Sequence, residues 1–198
     1  MMHTIPNDTL VLAAVLLIAL VTAAIVWFVM QKQRSTKLKQ HFGPEYDRAV
    51  SELGKTKAEA ELLKREKRVA SLSITPISAA DAARFSNAWN ILQGRFVDNP
   101  KGVVADADAL VRELMLKRGY PMGDFEVRAA DISVDHPNVV KNYRAAHAIV
   151  VREARGEADT EELRKAVVHY RILFNELLGI MPANIVTDPA LRSISVRS

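Results

Sequence analysis

The chain contains no cysteine. Disulfides, thiolate zinc sites and a cysteine nucleophile are therefore excluded, and a reducing compartment is permitted without being required. Charge is missing from one long stretch: Leu10–Met30 (LVLAAVLLIALVTAAIVWFVM) holds no Asp, Glu, Lys or Arg. No segment alternates polar and apolar residues with period two, so strands are not expected. Gly-rich phosphate fingerprints, a nucleophile elbow and paired catalytic carboxylates are also missing. No catalytic or cofactor-binding residue is assigned on these grounds, and the chain is expected not to be an enzyme.

The charge-free run is about 21 residues long, and at about 1.5 Å rise per residue it reaches about 31 Å, the thickness of a bilayer hydrocarbon core. Helical backbone satisfies its own hydrogen bonds, as lipid demands. A cleaved signal peptide needs a positive n-region and a shorter apolar core. Here MMHTIPNDT has no Lys or Arg, and the run continues through Ile25, Val26, Trp27 and Phe28 beyond the small residues Thr22 and Ala24. A transmembrane helix over residues 10–30 is expected, after a short extracytoplasmic segment 1–9. Asp8 is the one charge before it, and Lys32, Arg34, Lys37 and Lys39 follow it. The positive-inside rule then puts the C-terminal side in the cytoplasm. Trp27 and those four basic residues are the expected membrane-surface contacts.

The distribution of charge bears on partners. Residues 31–72 carry eleven Lys and Arg against six Asp and Glu, a surplus of five, and residues 73–198 carry sixteen of each sign. The surplus is juxtamembrane, where it favours anionic lipid. A neutral domain lacks the footprint of a phosphate-backbone binder, so nucleic acid is not an expected partner.

Beyond the interruption at Phe42-Gly43-Pro44, residues 31–73 read as a basic juxtamembrane stretch and a solvated stalk helix over Glu45–Leu72. Tyr46, Val50 and Leu53 begin a heptad, but that register next meets Lys57, Ala60, Lys64 and Lys67, and the later apolar set (Ala58, Leu62, Val69, Leu72) follows another. A coiled coil needs three or four heptads, so homo-oligomerisation stays possible but unsupported. From 74 to 179 the pattern is that of four amphipathic helices and a shorter one. Start signals stand at Ser78/Asp81, Asn99-Pro100, Asp135-His136-Pro137 and Asp159, and stop signals at Gly119, Gly156 and Gly179. The stripe Phe85, Trp89, Leu92 marks a core face. The expected fold class is all-α: a transmembrane helix, a charged stalk helix and a C-terminal bundle of four to five amphipathic helices. A tail over 180–198 is expected to be flexible.

The segments FGPEYDRAV (Phe42–Val50), RGYP (Arg118–Pro121) and DFEVRAADISVDHPNVVKNYRAAH (Asp124–His147) resemble a group of uncharacterised bacterial single-pass membrane-anchored proteins. The resemblance covers most of the chain after the apolar run, and implies no activity, substrate or partner.

Three constellations carry a chemical hypothesis. Asp131, Asp135 and His136, with His147 and His169, offer metal-ligand types, but no two make a ligand spacing on one helix face. The simpler reading makes Asp135 a helix cap, with His147 and His169 half-buried and hydrogen-bonded. The doublets Tyr143-Arg144 and Tyr170-Arg171 offer contacts to an anionic ligand or an acidic partner. The simpler reading leaves the tyrosine hydroxyls at a helix–helix rim and the arginines in water. The loop from Arg118 to Phe125 is Gly-rich, yet Asp124 and Glu126 would repel phosphate there. The leading functional expectation is a membrane-tethered helical interaction or scaffold module with an unidentified protein partner, and Tyr143, Arg144, His147, Tyr170 and Arg171 are the candidate ligand or partner contacts. The alternative is a membrane-anchored enzyme, or a small-ligand or metal sensor, using the Asp131–His147 region.

Overall fold

The structure, a computed structural model, describes residues 7–179. The expected tail 180–198 and the first six residues of the expected N-terminal segment lie outside the described residues. Eight helices and no strand are present among those residues, and the chain divides into two units at His41/Phe42.

The first unit is built on α1 (Asn7–Phe42). It is uninterrupted, and so runs well past the expected end at Met30. Over residues 15–30 its apolar side chains are exposed, and Leu16, Leu20, Ile25, Trp27 and Phe28 are each more than half exposed, whereas Leu38 and Phe42 near its end are buried. By length and composition this one helix can cross a membrane.

The second unit begins with α2 (Pro44–Leu53) and α3 (Lys55–Ala70). This corrects the expectation of one solvated stalk helix. The break falls at Gly54, whose φ of 75° and ψ of 154° lie in a region essentially reserved for glycine. The helices fold back on each other as an antiparallel pair, with Tyr46 and Glu45 of α2 reaching Glu59 and Arg65 of α3. Tyr46, Ala49, Ala58, Leu62 and Val69 are buried. The change of apolar register after Leu53, which spoils a coiled coil, is the signature of this chain reversal.

Five further helices follow: α4 (Ala79–Gly94), α5 (Pro100–Arg118), α6 (Phe125–Asp135), α7 (Val140–Glu153) and α8 (Thr160–Leu178). Ser78, Asn99, Asp124 and Asp159 each accept a backbone N–H at a helix start, and Asp159 with Glu162 completes a capping box. Each cap is worth about 1 kcal/mol. One start signal fails. Asp135 ends α6 instead of opening α7, which begins at Val140 with no side-chain cap. The Asp135 carboxylate is taken by the Tyr120 hydroxyl at 2.7 Å.

One apolar core joins α4–α8, with Phe85, Trp89, Val111, Ile132, Tyr143, Tyr170 and Phe174 among its members. Trp89 is 3% exposed and stacks on Phe174 with centroids 4.6 Å apart. The buried apolar residues of α2 and α3 lie outside this core. Helix α6 is buried on two sides: Ala129 and Ile132 enter the core, while Ala130 and Val134 are buried outside it, and α3 packs on α6.

Candidate functional site

The α2–α3 pair meets α6 and α7 through buried charge. Glu45 is 3% exposed and gathers three guanidinium groups: Arg48 at 3.2 Å, Arg65 at 3.2 Å and Arg144 at 3.1 Å. Burial pushes the Glu45 carboxyl up, but the hydrogen bond from Arg48 and the charges of Arg144 and Arg48 outweigh it and hold the group below the ordinary carboxylate range. Arg144 reaches onward to Glu126 at 2.6 Å. One helical stretch away, Asp131 is fully buried, and its Oδ1 accepts a hydrogen bond from Arg68 Nε at 2.6 Å. Its other oxygen, Oδ2, is buried and has no hydrogen-bond partner among the described residues.

A second polar cluster sits inside α5–α8. The Tyr170 hydroxyl donates to Asp108 at 2.8 Å, and Asp108 also pairs with Arg112 at 3.0 Å. Arg128 Nε donates to the Tyr143 hydroxyl at 3.1 Å, and the two tyrosine rings meet edge to face at 6.3 Å. Burial raises the pKa of both phenols, and for Tyr170 the charge of Asp108 and the hydrogen bond to it add to the effect. These hydroxyls are fixed hydrogen-bonding groups, with no tendency to ionise near neutrality. His147 stacks on Phe125 with centroids 3.6 Å apart, and burial lowers its pKa, with Asp108 opposing and Arg128 assisting.

A third junction uses the RGYP segment. Arg118 donates to the Leu177 carbonyl at 3.0 Å and approaches His136 Nε2 at 3.4 Å, while His136 Nδ1 lies 3.0 Å from Glu176. Gly119 is required here, because a Cβ at that position would stand 2.5 Å from the Ser73 carbonyl oxygen. Beside this junction opens a groove of about 470 Å³, lined by Val69, Leu72, Ile74 and Pro76 together with Glu66, Thr75, Arg118 and Asp135.

The expected site residues divide among these places. Tyr143, His147 and Tyr170 come together in the α5–α8 cluster. Arg144 does not stay with them or face water: it turns to Glu45 and Glu126. The tyrosine hydroxyls are not at an open rim, since both rings are fully buried. Arg171 is half-buried on α8 and takes no part in the Tyr170–Asp108 bond. Of the metal-ligand candidates, Asp131 is held by Arg68, Asp135 by Tyr120, His136 by Glu176 and His169 by Asn142 at 3.0 Å. The hydrogen bond expected for His147 is replaced by the stack on Phe125. Among the described residues no group of three or more His, Asp or Glu is arranged to hold a metal. Trp27, Lys32, Arg34, Lys37 and Lys39 are all exposed along α1. No protein-family model, curated protein or solved structure matches the chain.

Glu45, Arg65 and Arg68 escape a reading for catalytic motifs, but a signal for Arg65 was present. Ala58, Leu62, Arg65 and Val69 stand at spacings of 4, 3 and 4, which puts an arginine on the apolar stripe of α3. A charge at a core-facing position demands a buried partner.

Proposed function

We propose that the chain is a membrane-tethered interaction module: α1 crosses the bilayer within residues 10–30, the N-terminus lies outside, and the helices from Pro44 onward work in the cytoplasm on a protein partner. The observation that carries the tether is the long helix α1, whose apolar side chains over residues 15–30 are exposed and are followed by a basic flank. Exposed apolar surface of this extent is costly in water and favourable in lipid. The partner reading rests on the open groove beside Arg118, whose lining combines apolar side chains with both signs of charge. A short peptide segment with one apolar anchor and charged neighbours suits that chemistry. The candidate polar residues of the Asp131–His147 region are mostly committed to partners within the chain, so they support a structural role better than a catalytic one.

Topology is tested by C-terminal fusions. A fluorescent protein should be bright and an alkaline phosphatase inactive, and the reverse pattern defeats the orientation. The groove is tested by a photo-crosslinking residue at Leu72 of the membrane-embedded chain. A discrete adduct, lost on Arg118→Ala, supports a protein partner there. Equal crosslinking from Val97, an exposed position far along the sequence, counts against it.

A further inference from the structure

We propose that the tip of the α2–α3 pair is a second membrane-surface contact, which takes an anionic lipid face. The two basic residue types of α3 do different work. Its arginines are used internally: Arg65 on Glu45 and Arg68 on Asp131. Its lysines face outward. Lys57, Lys64 and Lys67 are exposed with Ala60 between them, at spacings of 3, 4 and 3 that trace one helix face. None of the three pairs with an acid among the described residues. The acids of α3 are turned elsewhere: Glu59 is buried under the Tyr46 hydroxyl, Glu61 approaches Arg65, and Glu66 lines the groove. The outward face is therefore of one sign.

The second observation is at the turn. Leu53 is 44% exposed and is the most exposed large apolar side chain on α2 and α3. It is followed by Gly54, Lys55, Thr56 and Lys57. Among the described residues the acid paired with Lys55 is Glu59, distant at 4.0 Å, and the acid at the tip, Glu52, is held by Arg48. One apolar side chain beside two lysines matches a bilayer interface, where the leucine enters the headgroup boundary and the ammonium groups meet lipid phosphates. A nucleic acid would use the lysines and leave the leucine in water. The contact is tip-on, because Leu53 marks one end of the lysine face. Lys67 lies about 15 Å along the helix from Lys57 at about 1.5 Å per residue, beyond a Debye length of about 8–10 Å. The inference rests on the reading that α1 holds the chain in a bilayer.

Because the chain has no cysteine, Thr56→Cys and Ala70→Cys each give a single label at opposite ends of α3. The full-length chain is placed in nanodiscs of purely zwitterionic lipid, or with about a third anionic lipid, each carrying a headgroup quencher. A chain that fails to remain with the discs defeats the tether itself. In discs that retain it, the label at position 56 should be quenched with anionic lipid, released by salt, and unquenched in neutral discs, while the label at position 70 stays unquenched in both. Each lysine close to the surface should contribute about fivefold. Lys55→Gln with Lys57→Gln should lower the quenched-to-free ratio about 25-fold, and Lys64→Gln with Lys67→Gln by about twofold or less. Equal quenching in neutral and anionic discs, no quenching in either, or equal effects of the two lysine pairs would overturn the proposal.

Discussion

The helices α4–α8 and the α2–α3 pair are held by different forces. The first group shares a continuous hydrocarbon core. The second has a small apolar seam of its own and attaches to α6 and α7 with the ion pairs Arg68–Asp131 and Glu45–Arg144. Apolar burial is non-directional and tolerates small adjustments. A buried ion pair is all-or-none: both partners present it is near break-even, and with one removed it is costly. The two attachments should therefore respond differently to mutation, pH and salt.

The largest expected effect lies in the hydrocarbon core. Trp89→Ala should cost about 3–5 kcal/mol, as large aromatic truncations do, and lower the unfolding midpoint of α4–α8. A loss well under 1 kcal/mol would mean that the Phe174 stack contributes little. The next sharpens the contrast. Asp131→Ala leaves Arg68 without its partner and should cost about 1–3 kcal/mol, whereas Arg68→Met with Asp131→Leu should be neutral or stabilising. A double variant as damaged as the single one would show that the pair is worth more than its desolvation cost. Hydrogen exchange should place the Asp131→Ala loss on α3 and α6, and leave α5 and α8 protected.

Gly54→Ala should cost about 1–2 kcal/mol, because nothing crowds the added Cβ but the backbone conformation is strained for it. The loss should be confined to α2 and α3, and a global loss would mean the two regions unfold together. The smallest expected effect is a graded response to acid. The His147 and His169 pKa values are lowered by burial, so the unfolded chain takes up protons first. Their contribution is complete above about pH 6.5 and declines as pH falls below it. Glu45 is also lowered; its contribution is present above the unfolded value near 4.3 and is lost as pH falls through the lower folded one. Acidification should therefore soften α7–α8 first and detach α2–α3 afterwards. Following exchange at single amides through a pH series checks the order, and detachment of α2–α3 before any change in α7–α8 would contradict it.

How much of this was legible depended on whether the cause was local. Ser78, Asn99 and Asp159 cap helices because their own backbone neighbours require it, and so the signals could be read from the chain. Asp135 carries the same signal and fails, because a tyrosine fifteen residues away, Tyr120, claims its carboxylate. Arg144 next to Tyr143 suggested a shared site, but successive helix positions point about 100° apart, and the two side chains serve different clusters. The Gly54 break was written in the change of apolar register, although an Ala-, Glu- and Lys-rich segment has high helix propensity on both sides of it. Asp131 was visible as a carboxylate. That its partner is Arg68, 63 residues earlier, is a tertiary fact with no local trace.

The double-sided burial of α6 gives the second unit a mechanical order. Tension entering at Pro44 is borne first by α2 and α3, whose hold on the rest is a few short-range ionic contacts and a seam against Ala130 and Val134. Such contacts give way over a small displacement. The load then passes to residues 71–78, which are pinned on the core by Ile74, Ile77 and the Thr75 N–H donated to the Arg118 carbonyl at 2.9 Å. Under force the α2–α3 pair is thus a fuse: it parts early, uncovers one flank of α6, and leaves the α4–α8 core standing.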